Sequence, residues 1–355
     1  MSQALKQPSE LLTLNLEPYE IVRQFVSEPT PLAECESDSR GNIYFVKDET
    51  NNPTGAYKWR GSAVKLNQLH SAGFSGVVTA SAGNHGQGVA WISGSMGNFA
   101  EVFVPIGTPH SKLDGLVRLG AKVHLEGNNF DEATEQARLF AQLNNQPFIH
   151  PFDDYSVMEG QGTIADELVA QFYEQKLHHD DIVLFVPVGG GGLIGGVSKR
   201  IKQLTNGRIK VVGVQVEGSD SAAVSFGINT KASQKHFADF SRIYNSTNKN
   251  LNSYYRQKAT NPNEEVDGTR VNLVGDHCIR SINQFVDEFL VVSPKLIGQY
   301  YRENEFSQLE PAGALSLVGA KAYASLAGSS MLNLVSIASG KNQDPERIKK
   351  LLNVV

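Results

Sequence analysis

The stretch ETNNPTGAYKWRG, residues 49–61, sets one lysine, Lys58, behind Tyr57 and a Pro53–Thr54–Gly55 turn, two residues before Arg60. An amine at a strand-to-helix junction, beside an aromatic face, can be desolvated and its pKa lowered, which suits attack on a carbonyl and imine formation. Most lysines are solvated charges, so this one has to be judged with its neighbours. A second stretch, VLFVPVGGGGLIGGV, runs from an apolar strand through Gly189, Gly190, Gly191 and Gly192 into Leu193 and a helix. Residues without side chains let a backbone approach a ligand closely, and a helix N-terminus offers unpaired N–H groups to an anion. A phosphate is the natural occupant. A third stretch, TASAGNHGQGVAW, repeats strand, loop and helix with Ser81, Asn84, His85 and Gln87 in the loop. There Asn84 can donate to a ligand oxygen, and Ser81 can serve either as a helix cap or in catalysis.

The glycine segment leaves three readings open. Gly190, Gly192 and Gly195 satisfy G-x-G-x-x-G, and the next strand ends at Glu217, where a ribose-binding acid would stand in a dinucleotide fold. A nicotinamide or flavin cofactor therefore competes with a simple phosphate group, and a tight turn without any ligand is the third reading. The phosphate loop taken with Lys58 and the Tyr57 ring suggests pyridoxal 5'-phosphate, PLP.

Stepping outward, NIYFVKDE reads as a strand and RGSAVKLNQLHSAG as a helix closed by glycine. GVVTAS, AEVFVP, KVHLEG and PFIHPF read as further strands, alternating with helices up to DEATEQARLFAQLN. A helix at MEGQGTIADELVAQFYEQ, the strand DIVLFVPVG, a helix at LIGGVSKRIKQL and the strand IKVVGVQVEG follow. This alternation predicts an α/β fold with parallel sheets and helices on both faces, whose ligands bind beyond the carboxyl ends of the strands. Residues 225–265 are polar, rich in Asn and Ser and weakly periodic, and predict a long excursion or mobile loop. Regular units resume with SINQFV, EFLVVS, PAGALSLVGAKAYASLAG and LNLVSIASG.

Composition narrows the function classes. The 355 residues are 40% apolar and 19% charged, enough for a large core in two lobes. A net charge of −5 with interspersed signs gives no basic field for nucleic acid. Cys35 and Cys278 are too few for a disulfide framework and fit a reducing cytoplasm. No apolar run is long enough to span a membrane, and the start MSQALKQPSELL does not read as a secretory signal. A cytosolic enzyme or binding protein is expected.

Seven motifs in order carry a family likeness: KDETNNPTGAYKWRG, TASAGNHGQGVA, GTPHSKLDGLVRLGAKVHLEGNNFDEA, HPFDDYSVMEGQGTIADE, PVGGGGLIGGV, LEPAGALSLVGA and SGKN. Over about residues 30–342 the chain resembles the fold-type II PLP enzymes, and among them the serine/threonine dehydratases. The resemblance implies a two-lobed fold like that of the tryptophan synthase β chain, each lobe a mostly parallel twisted sheet flanked by helices. The smaller, mobile lobe would span 76–150 and the larger PLP-binding one 1–75 with 151–355, the cofactor lying between them. It implies that Lys58 forms the imine with PLP and moves protons at the substrate Cα. Tyr57 and Gly268, the latter in VDGTRV, would lie against the two ring faces, and Asn84 would meet the 3-oxygen. Backbone N–H groups of Gly189, Gly190, Gly191, Gly192 and Leu193 would hold the phosphate, and Ser339 would meet the pyridine nitrogen. Ser81, Gly83 and His85 would hold the substrate carboxylate, with Glu310 as the acidic group near the pocket. The implied reaction is β-elimination of L-threonine or L-serine to a 2-oxo acid and ammonia, in a homodimer. On this reading the dinucleotide alternative leaves Lys58, Asn84 and Ser339 without a task.

Departures from the family pattern shape the alternatives. Related racemases carry a serine where this chain has Ala82, and alanine transfers no proton, so racemisation should be poor. Hydroxyaspartate dehydration, β-replacement and a non-catalytic amino-acid-binding role are the other readings. The racemase metal site uses a glutamate like Glu217 with an acid six residues on; here that residue is Ala223, with Asp220 nearby, and no metal is expected. The approach EEVDG to Gly268 differs from the family's, and no regulatory domain is expected after Asn342.

Overall fold

The computed structural model describes residues 16–237, 242–246, 254–304, 307–326 and 331–354. The elements begin α1 (Pro18–Phe25), β1 (Leu32–Ser37), β2 (Ile43–Asp48), α2 (Trp59–Ser71), β3 (Gly76–Ala80) and α3 (Asn84–Ser95). They continue β4 (Phe99–Val104), α4 (His110–Arg118), β5 (Ala121–Leu125), α5 (Phe130–Leu143), α6 (Tyr155–Glu174), β6 (Ile182–Pro187) and α7 (Gly192–Leu204). After these come β7 (Lys210–Val216), α8 (Ser221–Thr230), β8 (Ser233–His236), β9 (Arg242–Asn245) and α9 (Asp276–Phe285). The last are β10 (Glu288–Val292), α10 (Pro294–Glu303), α11 (Pro311–Leu326), β11 (Asn333–Ala338) and α12 (Pro345–Leu352). The chain forms two compact units, Met1–Pro29 with Asn52–Gln161 and Thr30–Asn51 with Gly162–Val355. This grouping sets residues 52–75 with the smaller sheet, whereas the expected small lobe began at 76.

In the first unit β3, β4 and β5 form a three-stranded, all-parallel sheet. Val77 and Val102 pack with Trp59, Val89, Ile92 and Leu116, while Val78, Ala80 and Phe103 meet Ala137 and Ala141 of α5. Alternate residues of β3 thus serve opposite cores, which is why GVVTA reads as an unbroken apolar run. The expected strand at 147–152 is not a strand. Its pairing is a single bridge from Phe148 to Val78, and Pro147 and Pro151 bring no N–H to extend a ladder.

In the second unit eight strands form one sheet in the order β1-β2-β11-β6-β7-β10-β9-β8. The pairs from β2 through β10 are parallel, and the outer pairs, with β1, β9 and β8, are antiparallel. Every residue of β6 is buried, as expected for a central parallel strand covered on both faces. The polar excursion is more regular than its sequence suggests. Helix α8 runs to Thr230, and β8 with β9 adds an antiparallel edge, while 238–241 and 247–253 lie outside the described residues. Its Asn and Ser side chains bind backbone: Asn229 pairs with both polar groups of Tyr255 (2.9 Å each), and Ser225 Oγ accepts the Gln257 N–H (2.8 Å).

An ion pair without solvent contact anchors this unit. Lys47 Nζ on β2 lies 2.6 Å from Glu167 Oε2 on α6, with the side chains 0% and 2% exposed. The ammonium also donates to Thr30 O (2.6 Å) and Gln171 Oε1 (3.0 Å), and Glu167 receives the Thr30 N–H (3.0 Å). Taking away one partner of such a pair leaves the other charge buried. Glu167→Leu should lower unfolding free energy by about 3–5 kcal/mol, and Lys47→Met with Glu167→Leu together should cost less than the single change. Urea denaturation of the three chains checks this; a double variant less stable than Glu167→Leu contradicts it.

Candidate active site

The residues singled out in the sequence fall into two sets, one in each unit. In the first, the NPTG stretch is a hydrogen-bonded turn. Thr54 N donates to Asn52 Oδ1 (3.0 Å), Gly55 N donates to Asn52 O (3.0 Å), and Gly55 has φ +68°. The turn delivers Lys58 to the N-cap of α2 already in helical conformation. Its side chain is half-buried, with Nζ 5.2 Å from the centre of the Tyr57 ring and donating to Pro151 O at 3.0 Å. The first turns of α2 are buried from Trp59 through Val64, with Trp59 and Arg60 both showing 0% exposure. Helix α3 can reach this backbone because Gly88 has no side chain: a Cβ there would lie 3.0 Å from Trp59 N and 3.1 Å from Lys58 C.

Ser81, Gly83 and Asn84 follow the carboxyl end of β3, as a parallel strand-loop-helix unit places them. Asn84 is the first residue of α3 and Gly83 its N-cap. Ser81 does not cap the helix: its Oγ accepts the Gly83 N–H at 3.2 Å, closing a turn before the helix begins. His85 is buried, with Nε2 3.3 Å from Ile149 O. Burial first, and the Lys58 charge second, push its pKa down from 6.5 to about 3.

Sequence reasoning gave no role to His150 and Pro151. They lie in HPFDD, a stretch used there only as a family motif. Besides Pro151 O on Lys58, Ile149 O receives the Thr79 hydroxyl (3.0 Å) and faces His85. The His150 Nδ1 accepts the N–H groups of Phe152 (3.3 Å) and Asp153 (2.9 Å). Burial leads in depressing the His150 pKa to about 4, with the charges of Arg138 and Lys58 acting the same way and Asp153 opposing. A histidine between an apolar strand-like run and a proline carried no signal of this loop in one sequence.

The second set gathers beyond the carboxyl ends of β6 and β11. Gly189, Gly190 and Gly191 turn the chain into α7, whose first residues are Gly192 and Leu193. Gly191 is the N-cap at φ +97°, with no side-chain hydrogen bond to the cap, and a Cβ there would lie 2.8 Å from Cys278 Cβ. The Gly189 backbone adjoins the turn at 267–269, since a Cβ on it would lie 3.2 Å from Gly268 O. Gly268 is exposed, and a Cβ there would meet Ala312 Cβ (2.7 Å) and Glu310 Oε1 (3.8 Å). Ser339, buried after β11, donates to Ala312 O at 3.4 Å. The glycine loop, Gly268, Glu310 and Ser339 are therefore neighbours. Glu217 is exposed, and Asp220 is ion-paired with Arg242. Among the described residues no group of three or more His, Cys, Asp or Glu side chains could hold a metal ion.

These features fit PLP. A helix N-terminus without a side-chain cap, reached through glycines whose Cβ positions are filled, can take a phosphate dianion on its N–H groups. A lysine amine against an aromatic face can take the aldehyde carbon. The model of the family described as "Pyridoxal-phosphate dependent enzyme" matches residues 24–340, and the chain belongs to that family. It is 32% identical over 331 residues to the chloroplastic biosynthetic threonine dehydratase 2 of Solanum lycopersicum, covering 92% of this chain and 50% of that protein. It is 36% identical to the biosynthetic L-threonine dehydratase IlvA of Pasteurella multocida, covering 89% and 57%. The chain thus spans little more than half the length of these relatives. The structure of the processed form of threonine deaminase isoform 2 from Solanum lycopersicum superposes with a TM-score of 0.78 at 30% identity, covering 94% of this chain and 87% of that one. The fold is that of the fold-type II PLP enzymes.

Two measurements probe the sets separately. Both histidines are uncharged when folded and gain protons on unfolding below their ordinary value of 6.5. Their depressed pKa values give stability that is complete above that pH and lost as pH falls toward about 4 for His150 and about 3 for His85. His85→Asn should therefore flatten the fall of unfolding free energy between about pH 6 and pH 4 by up to about 1.4 kcal/mol per pH unit, read from urea melts; an unchanged slope contradicts a neutral His85. Gly191→Ala, strained in φ and crowded, should lower stability by about 1–3 kcal/mol and weaken PLP retention on dialysis. Wild-type stability and retention would contradict the cradle.

Proposed function

We propose that the chain catalyses β-elimination from L-threonine or L-serine, releasing a 2-oxo acid and ammonia. The observation that carries this reading is the Lys58 amine, placed at the head of α2 over the Tyr57 ring and beside a histidine kept neutral. Pyridoxal phosphate, when bound, supplies the electron sink that lets a substrate Cα–H bond break. Lys58 would hold the cofactor carbon until an amino acid displaces it, then take the Cα proton. Asn84 would donate to the cofactor 3-oxygen, and the N–H groups of Gly189, Gly190, Gly191, Gly192 and Leu193 to its phosphate. Tyr57 and Gly268 would flank the ring. Ser339 brings a hydroxyl rather than a carboxylate to the ring nitrogen, which would leave that nitrogen unprotonated. Ser81, Gly83 and His85 would orient the substrate carboxylate. A neutral His85 donates one hydrogen bond without adding a charge that competes with Lys58. Glu310 would be the acidic group near the substrate.

The β-hydroxyl leaves as water, and the released enamine is hydrolysed to the 2-oxo acid and ammonia. Family likeness favours a homodimer, and a chain with two cysteines, too few for a disulfide framework, fits the cytoplasm. No helix among the described residues is long and apolar enough to cross a membrane.

The test is a panel of amino acids with the PLP-loaded protein, coupled to 2-oxo acid detection. Threonine or serine should turn over, and Lys58→Ala should reduce the rate at least about 1000-fold. No 2-oxo acid from either substrate, or an active Lys58→Ala, overturns the reading.

A further inference from the structure

The loop between Ile149 and α6 is fixed at both ends. Ile149 is tied to β3 by its N–H on Val78 O (2.8 Å) and by the Thr79 hydroxyl on its carbonyl (3.0 Å). At the other end Asp154 Oδ1 accepts the N–H groups of Ser156 (2.9 Å) and Val157 (3.2 Å), and Oδ2 meets Lys65 Nζ at 2.8 Å. Between these anchors, the His150 ring ties the turn: its Nδ1 gathers the N–H groups of Phe152 and Asp153, and Phe152 stands edge-on to it at 4.6 Å. Inside that turn is Pro151, whose carbonyl receives Lys58.

The geometry points to His150 as a positioning residue that aims the Pro151 carbonyl at the Lys58 amine, giving that amine a fixed resting place whenever it is not bonded to the cofactor. This rests on the reading of Lys58 as the cofactor-bonding lysine. An ammonium group has three donors, no acceptor and a stem of rotatable bonds, so without a partner it samples many positions. A carbonyl 3.0 Å away selects one of them. Nδ1 accepts N–H groups, so in the neutral ring the proton lies on Nε2. The low pKa of His150 keeps this acceptor available at neutral pH. Proline assists, because the residue before it favours an extended backbone.

The role predicts which replacements work. An asparagine oxygen accepts N–H groups two and three residues on, as in an Asx turn, so His150→Asn should preserve the loop. Leucine has comparable bulk and no acceptor. The readout is the rate at which full-length protein, stripped of cofactor, recaptures PLP, followed by absorbance, with melting temperature recorded alongside. His150→Leu should slow capture about tenfold, the effect of losing roughly one well-placed hydrogen bond, with His150→Asn within about threefold of wild type. If the leucine chain does not fold, His150→Ala carries the same expectation. Capture by the leucine or alanine chain at the wild-type rate overturns the inference, and so do equal defects in the asparagine and leucine chains. Capture needs no substrate. If it follows the expected pattern while no amino acid yields a 2-oxo acid, His150 keeps this role and the substrate reading falls. A wild-type chain that never binds PLP through Lys58 overturns both.

Discussion

Lys58 depends on backbone approaching backbone. Gly88 of α3 lies against the Lys58–Trp59 peptide, and Gly160 of α6 lies against Arg60 and Gly61, where a Cβ would come within 2.4 Å of Arg60 O. Neither contact survives a methyl group without displacement of main chain. The first turn of α2 is held by these packed peptide groups and by the Gln161 side chain, whose Oε1 accepts the Gly61 N–H at 3.3 Å. The same close packing buries Trp59 and Arg60 completely and leaves Lys58 as the half-buried residue at the helix start. A lysine on a frame this tight can reach only a few positions, and the HPFDD loop supplies an acceptor at one of them.

The second unit solves a different problem. Strands β6 and β7 are apolar and buried almost throughout, whereas β2 carries Lys47 among partly buried residues. The Lys47–Glu167 pair marks the register of β2, because a one-residue slip would turn the ammonium away from that buried carboxylate. Stability is not the main gain, since a buried pair pays desolvation on both ions. Parallel β2–β11 and β11–β6 ladders then carry the register of β2 to Ser339 and to the glycine loop, both of which follow directly from these strands.

What the sequence made legible follows from the same physics. Long apolar runs such as IVLFVP and KVVGVQV have one way to be satisfied, inside a covered sheet, and they appear there as β6 and β7. Strand β1 escaped notice because LAECES buries only its first residue, so the edge strand carries no alternation to read. The edge hairpin of β8 and β9 was hidden for the same reason: SQKH is exposed throughout. The segment PFIHPF misled in the opposite direction. Ile149 is buried and Phe148 and Phe152 are partly so, but the prolines leave the segment one bridge to β3, and the carbonyls of Ile149 and Pro151 serve His85 and Lys58 instead of a ladder. Nucleophile and glycine loop announce themselves by residue type. A backbone acceptor does not, because every residue has one.

Charge arrangement around Lys58 follows from that distinction. Three groups that can be cationic, Lys58, His85 and His150, lie around the carbonyls of one short loop, where mutual repulsion and burial oppose more than one positive charge. The histidines yield: both are driven to the neutral form, His85 more strongly because it is the more deeply buried. Each neutral ring then has one N–H and one acceptor nitrogen. His150 uses its acceptor on backbone N–H groups, which a protonated ring cannot do, so the shape of the loop and the charge state of the site are one property. A second full charge there would both repel Lys58 and release the turn that carries its carbonyl partner.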